Sequence, residues 1–142
     1  MLIRLLYASR SAEPVTPATI ESILAAARRR NPELGVTGIL CHTGDIFMQV
    51  LEGGRAPVNQ LYNSIVGDPR HKDVTILHCE EITERRFANW TMGQVNLARV
   101  NASTLLKYSE LPTLDPYAVS GRVAMALLEE LIATAQIVGR AC

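Results

Sequence analysis

Three polar side chains stand where the surrounding pattern asks for apolar ones, and together they offer donors, acceptors and a removable proton. Tyr7 follows Leu5 on one face of the apolar run at residues 2–8. Gln49 sits inside Phe47-Met48-Gln49-Val50-Leu51, on the face shared by Phe47 and Leu51. Asn31 ends an amphipathic segment that must meet the same sheet. A buried glutamine costs roughly 1–3 kcal/mol for each group left unsatisfied, so these amides need partners. Two arrangements supply them. A Tyr–Gln pair can complete itself inside the core, or the phenol and two amides can converge on the edge of a flat polar ligand. Amides suit the second task because each carries donors and an acceptor.

Other chemistry is scarce. His42, His71 and His78 show no metal-ligand spacing, and neither a nucleophile elbow nor a P-loop occurs. Cys41, Cys79 and Cys142 lie far apart without a C-x-x-C pair, which argues against zinc or a disulfide framework and fits a reducing compartment. Fourteen basic residues balance fourteen acidic ones, so the electrostatic footprint of a nucleic-acid binder is missing. The run Arg28-Arg29-Arg30 reads as a solvated helix C-terminus, where cations oppose the macrodipole. No stretch approaches the roughly 18 apolar residues of a membrane helix. The opening MLIRLLYAS is too short for a signal peptide and reads as a strand. A cytoplasmic protein with no membrane or nucleic-acid partner is expected.

The elements that must position these residues follow from periodicity. Residues 2–8 form a strand, and Thr16-Pro17 caps and opens a helix. Ile20, Ile23, Leu24 and Ala27 mark one face of that helix, and Asn31-Pro32 closes it. Val36–His42 and Ile46–Glu52 flank a turn at Thr43-Gly44 and read as a hairpin. A second helix starts at Pro57, with Val58, Leu61, Tyr62, Ile65 and Val66 on its apolar face. After a loop at Gly67–Lys72 come a strand near Val74–Glu81 and a last strand near Trp90–Val95. The order β-α-β-β-α-β-β predicts an α+β, ferredoxin-like plait with a five-stranded mixed sheet and both helices on one face. In that plait the first and third strands are neighbours, so Tyr7 and Gln49 lie side by side.

Beyond residue 98 the character turns helical. Asn101 caps a short helix around Ala102–Tyr108, and Asp115-Pro116 opens a longer one to about Val138. Its apolar ridge of Val119, Val123, Leu127 and Leu131, widened by Ala124, Leu128 and Ala135, needs a partner surface. The uncovered face of the sheet is one candidate and a homodimer contact the other. The expected organisation is a sensor-sized domain at 1–97 and a helical extension at 98–142.

Across roughly residues 1–97 the chain resembles the BLUF family, the blue-light sensors using flavin. The segments that carry the resemblance are LYAS with Tyr7, RNPELGVTGIL with Asn31, FMQVLEG with Gln49, DPRH from Asp68 to His71, and RRFANWTMG with Trp90 and Met92. They occur in order and at matching intervals. The resemblance implies a non-covalent flavin between the two helices, FAD in most cases, with FMN or riboflavin as other forms. Asn31 would bond the ring carbonyl and imide region, and Gln49 would bridge Tyr7 and the flavin edge. Asp68, Arg70 and His71 would meet the ring edge, ribityl chain or phosphates, and the Arg30 guanidinium would cover the ring. Trp90 and Met92, read as two residues on one face of the last strand, would exchange places beside Gln49.

The resemblance also implies a photosensor rather than a turnover enzyme. Tyr7 and Gln49 are then the photochemical pair: light drives an electron and a proton from Tyr7, by way of Gln49, toward the flavin, and the Gln49 amide settles differently. With about 45 residues after the sensor core and no effector domain among them, output is expected through an unidentified downstream protein or a dimer rearrangement. Other readings predict other results. An acylphosphatase-like enzyme needs an Arg–Asn phosphate site on an early Gly-rich loop, which LYASRSAEP lacks. An RNA-binding plait needs exposed aromatics, and aromatics are 5% of this chain. A non-photoactive dimerisation module would be colourless.

Overall fold

The computed structural model describes residues 1–134 and 137. Five strands, β1 (Leu2–Ser11), β2 (Thr37–Thr43), β3 (Ile46–Gly54), β4 (His71–Ile82) and β5 (Gly93–Asn96), form one sheet in the order β4-β1-β3-β2-β5. The pairs β1–β3, β1–β4 and β2–β3 are antiparallel, and β2–β5 is parallel. This is the ferredoxin-like plait with an added strand. Helices α1 (Pro17–Leu34) and α2 (Arg55–Val66) follow β1 and β3. Their apolar faces share one core with Leu5, Tyr7, Leu40, Phe47 and Leu51 of the sheet.

The opposite face is also covered. Leu6, Ile39, Met48 and Val50 pack with Leu105 of α3 (Ala102–Leu106) and with Leu127, Leu128 and Leu131 of α4 (Gly121–Ala133). A sheet buried on both sides explains why its central strands read as continuous apolar runs. The C-terminal segment also crosses the β4 edge, where the Tyr117 hydroxyl donates to the Asp73 carbonyl at 2.8 Å.

Several boundaries differ from the sequence expectation, each for a local reason. Helix α1 runs through Asn31-Pro32 to Leu34, because Gly35, at φ 67°, ends it in a Schellman closure. There Val36 N–H donates to Asn31 O at 2.9 Å and Gly35 N–H to Pro32 O at 3.2 Å. Helix α2 begins two residues before Pro57. Strand β4 takes in His71 and Lys72, which the sequence suggested for a loop. The expected start of the long helix at Asp115-Pro116 is instead a turn, in which Asp115 Oδ1 accepts from Tyr117 N–H at 2.9 Å. Helix α4 starts after Ser120, whose hydroxyl accepts from Val123 N–H at 3.2 Å. Helix α4 ends at Ala133 with Thr134 at its cap, and Ile137 is not helical; the rest of the expected continuation, Ala135, Gln136 and Val138, lies outside the described residues.

The last strand needs the largest correction. Strand β5 starts at Gly93, so Trp90 and Met92 precede it in a bend and do not share a strand face. Trp90 joins the core under the C-terminal helices, and Met92 joins the core under α1 and α2.

Candidate functional site

The antiparallel register sets Tyr7 opposite Gln49, and Gln49 opposite Leu40, in a row beneath the two helices. The Tyr7 hydroxyl donates to Gln49 Oε1. Gln49 Nε2 donates in turn to Met92 Sδ at 3.3 Å. These directions are chemically consistent, since a thioether sulfur can only accept and the phenol has one proton to give. The Tyr62 ring stands edge-on to Tyr7 at 5.6 Å between centroids. Burial holds the Tyr7 phenol well above its ordinary pKa, an effect the Arg30 guanidinium opposes and the Tyr62 phenol reinforces. Tyr7 is therefore a proton holder in the ground state, aimed at a single acceptor.

Directly over this row is a cleft of about 130 Å³. Its floor is Tyr7, Leu40, Phe47 and Gln49, and its walls are Ile23, Ala26 and Ala27 of α1 against Ser64 and Ile65 of α2. The two alanines keep the α1 wall low, which suits a flat body. Arg30, Asp68, Arg70 and His71 supply the polar rim. A second hollow of about 170 Å³ shares Ile23, Phe47, Arg70 and His71 and continues toward Ser11, Glu13 and Ser22. Apolar walls, an amide floor and a charged exit fit a planar heteroaromatic group with a polar tail. A larger open hollow of about 740 Å³ between the start of α1 and β5 contains none of the predicted site residues.

At the rim, Arg70 grips Asp68 by Nη2–Oδ2 at 2.7 Å and Nε–Oδ1 at 3.1 Å. That pairing, with the Arg70 N–H on the same carboxylate, pulls the Asp68 carboxyl down to about 2. His71 Nδ1 lies 3.2 Å from Ser9 Oγ, and its ring stands edge-on to Phe47. Burial lowers the His71 pKa from its ordinary 6.5, Asp68 opposes the shift, and Arg70 adds to it. The unfolded chain therefore takes this proton at higher pH than the fold does. His71's contribution to stability is complete above pH 6.5 and is lost as the pH falls through the folded value. A titration followed by the His71 ring signals is expected to show a midpoint below 6.5. A midpoint at or above that value would contradict this environment.

The remaining expected residues are placed as follows. Asn31 is buried on α1 and is not part of the cleft lining; its Nδ2 donates to Thr91 O at 3.3 Å. Met92 touches Gln49, whereas Trp90 lies in the core on the other side of the sheet. Three contributors escaped the sequence reading as site residues. Ala26 and Ala27 look like ordinary helix formers. Arg28, taken for a solvated cation, donates through Nε and Nη2 to Met92 O at 3.1 and 3.0 Å. Among the described residues no cluster of His, Cys, Asp and Glu could hold a metal ion, and no helix is long and apolar enough to cross a membrane.

Fold and site thus define an α+β module with a narrow cleft between two helices, above a buried Tyr–Gln–Met relay. The profile of the family described as "BLUF: Sensors of blue-light using FAD" matches residues 2–93. The chain belongs to the BLUF family of blue-light flavin sensors. It is 43% identical over 99 residues to the blue light- and temperature-regulated antirepressor BluF of Escherichia coli, a match covering 68% of this chain and 24% of that protein. It is 38% identical over 92 residues to photoactivated adenylate cyclase subunit beta of Euglena gracilis, covering 64% and 11%. The chain therefore spans only a minor part of these curated relatives.

Two solved structures match along nearly their whole length. One is the photo-activated state of BlsA, at TM-score 0.82 and 30% identity, covering 93% of this chain and 95% of that one. The other is the dark state of BlrB, a BLUF protein, at TM-score 0.78 and 35% identity, covering 94% and 96%. Relatives of this family thus include light-regulated signalling proteins, some of which carry a cyclase in the same chain.

Proposed function

We propose that this chain is a blue-light photoreceptor that holds FAD non-covalently in the cleft between α1 and α2 and signals to another protein. The observation that carries this reading is the buried relay from Tyr7 through Gln49 to Met92, lying under a cleft whose walls suit a flat ring. Residues 1–97 are the sensor in this reading and 98–142 its readout. When bound, the flavin supplies light absorption and an electron-accepting excited state. The protein supplies position and protons. Gln49 and Asn31 offer amide groups toward the ring edge, and Arg30, Asp68, Arg70 and His71 hold the polar end.

Loss of an electron turns the Tyr7 phenol from a firm proton holder into a strong acid. Its proton then moves along the existing hydrogen bond to Gln49 Oε1. When the electron returns, a proton returns to the Tyr7 oxygen as well, and the neutral Gln49 amide is able to settle in a second arrangement, no longer donating Nε2–H to Met92. That change reaches the segment before β5, which ties the cleft side of the sheet to the core under α3 and α4. Output then follows from a population shift between two protein states. The purified chain reconstituted with FAD is expected to be yellow and to shift its visible absorption to the red under blue light, reverting in the dark. A colourless protein, or a bound flavin indifferent to illumination, would refute the proposal.

A further inference from the structure

Three successive carbonyls in the bend before β5 are each claimed by a different donor. Gly38 N–H donates to Trp90 O at 2.9 Å, Asn31 Nδ2 to Thr91 O at 3.3 Å, and Arg28 doubly to Met92 O at 3.1 and 3.0 Å. The bend has no ladder of its own, so these donors set its position. Arg28 and Asn31 are three residues apart on α1 and therefore lie on neighbouring turns of one face. Arg28 makes the stronger grip, because a charged donor places two N–H groups on one oxygen. It is exposed and lies outside the cleft lining.

We propose that Arg28 is a positioning residue for the light reaction: by holding Met92 O, it keeps Met92 Sδ against Gln49 Nε2 and so sets the preferred arrangement of the Gln49 amide. The proposal rests on the reading of Gln49 as the switch. A sulfur that can only accept distinguishes the two ends of an amide. With Nε2 toward Met92 a hydrogen bond forms, as observed. With Oε1 there, two acceptors face each other and nothing is gained. Met92 thus favours the arrangement in which Oε1 receives the Tyr7 proton. It exerts that preference only while its main chain is fixed, and the guanidinium fixes it. Arg28 acts from outside the cleft, through one carbonyl and one sulfur.

The test uses the full chain with FAD, as wild type, Arg28→Ala, Arg28→Lys, Met92→Leu and the double variant Arg28→Ala/Met92→Leu. Arg28→Ala is expected to bind FAD and respond to blue light, yet to return to its dark spectrum about threefold to tenfold more slowly, because the dark arrangement has lost a charge-assisted hydrogen bond. Arg28→Lys, which keeps a charged donor within reach, is expected to restore most of the wild-type rate. In the Met92→Leu background, removing Arg28 is expected to change the rate by less than about 1.5-fold, since no sulfur remains to position. The ¹³C-methyl signal of Met92, assigned with Met92→Leu, gives a readout that needs no light. It is expected to be sharp in the wild type, and shifted or broadened in Arg28→Ala. Should Arg28→Ala fail to fold, Arg28→Gln takes its place. Wild-type recovery with an unmoved methyl signal overturns the proposal, as does equal slowing in both Met92 backgrounds. A wild type without any light response instead defeats the Gln49 reading, and this proposal with it.

Discussion

Gln49→Leu is expected to keep the flavin and lose the light-induced red shift entirely. Leucine replaces glutamine at nearly constant volume, so the floor of the cleft between Leu40 and Tyr7 stays filled. What disappears is every atom that accepts from the Tyr7 hydroxyl or donates to Met92 Sδ. In the proposed complex one hydrogen bond toward the ring is lost as well, which would weaken flavin affinity by about tenfold at most. The buried Tyr7 hydroxyl is left without its acceptor, and stability falls by about 1–3 kcal/mol. Tyr7→Phe is expected to give the same optical result by a different route. It removes the proton and the oxidisable phenol but leaves Gln49 in place, still able to donate to Met92. Difference spectra before and after blue illumination, at equal flavin loading, decide the matter. A normal red shift and recovery in either variant would remove Tyr7 and Gln49 from the mechanism.

The pairing behind that prediction was legible in the chain itself. Two alternating strands that a plait makes neighbours, each with one polar residue on its helix-facing side, bring Tyr7 and Gln49 together at a single register. The family motifs point to the same pair, and the wide apolar ridge of the last helix called for a partner, the open sheet face or a dimer contact, of which the structure shows the sheet face. The sequence reading failed wherever a residue's place is set by a distant donor rather than by a local period. Trp90 and Met92 are two residues apart and would share a face on a strand. They sit on opposite sides because Gly38, Asn31 and Arg28 hold their carbonyls in a bend. No periodicity encodes such bonds. Arg28 was hidden by its two arginine neighbours. Pro32 marked the end of a helix that in fact needed one further turn to reach Gly35.

Glu52→Ala is expected to be strongly destabilising, because it removes a buried, fully bonded carboxylate, without touching the photochemistry. Glu52 is fully buried at the end of β3, on the face opposite the cleft. Its Oε2 accepts from Arg4 Nη2 and Nε at 2.7 and 2.8 Å, and from Arg86 N–H at 3.1 Å. Its Oε1 accepts from Phe87 N–H at 2.6 Å. Arg4 is the register partner of both Glu52 and Glu80, so one cation on β1 lies between acids on two neighbouring strands. Removing Glu52 leaves Arg4, only 5% exposed, with one carboxylate, Glu80 on the edge strand at 2.6 Å, beside the Phe87 ring. It also strips two backbone donors in the segment that leads to Trp90. Breaking a buried pair in this way costs about 3–5 kcal/mol, and the surviving Glu80 contact places the expected loss near the lower end. For a chain of this size that is a fall in Tm of about 10 °C. Because the cost lies in an uncompensated buried charge, Arg4→Met combined with Glu52→Leu is expected to regain most of it. Well below its melting temperature, Glu52→Ala should still shift its flavin absorption under blue light, since the relay lies on the other face. Thermal melts of the two variants, read beside their difference spectra, test both halves. A Glu52→Ala protein as stable as the wild type would show that the Arg4 pair carries no weight in the fold, and one that is stable yet blind to light would tie this face to the relay after all.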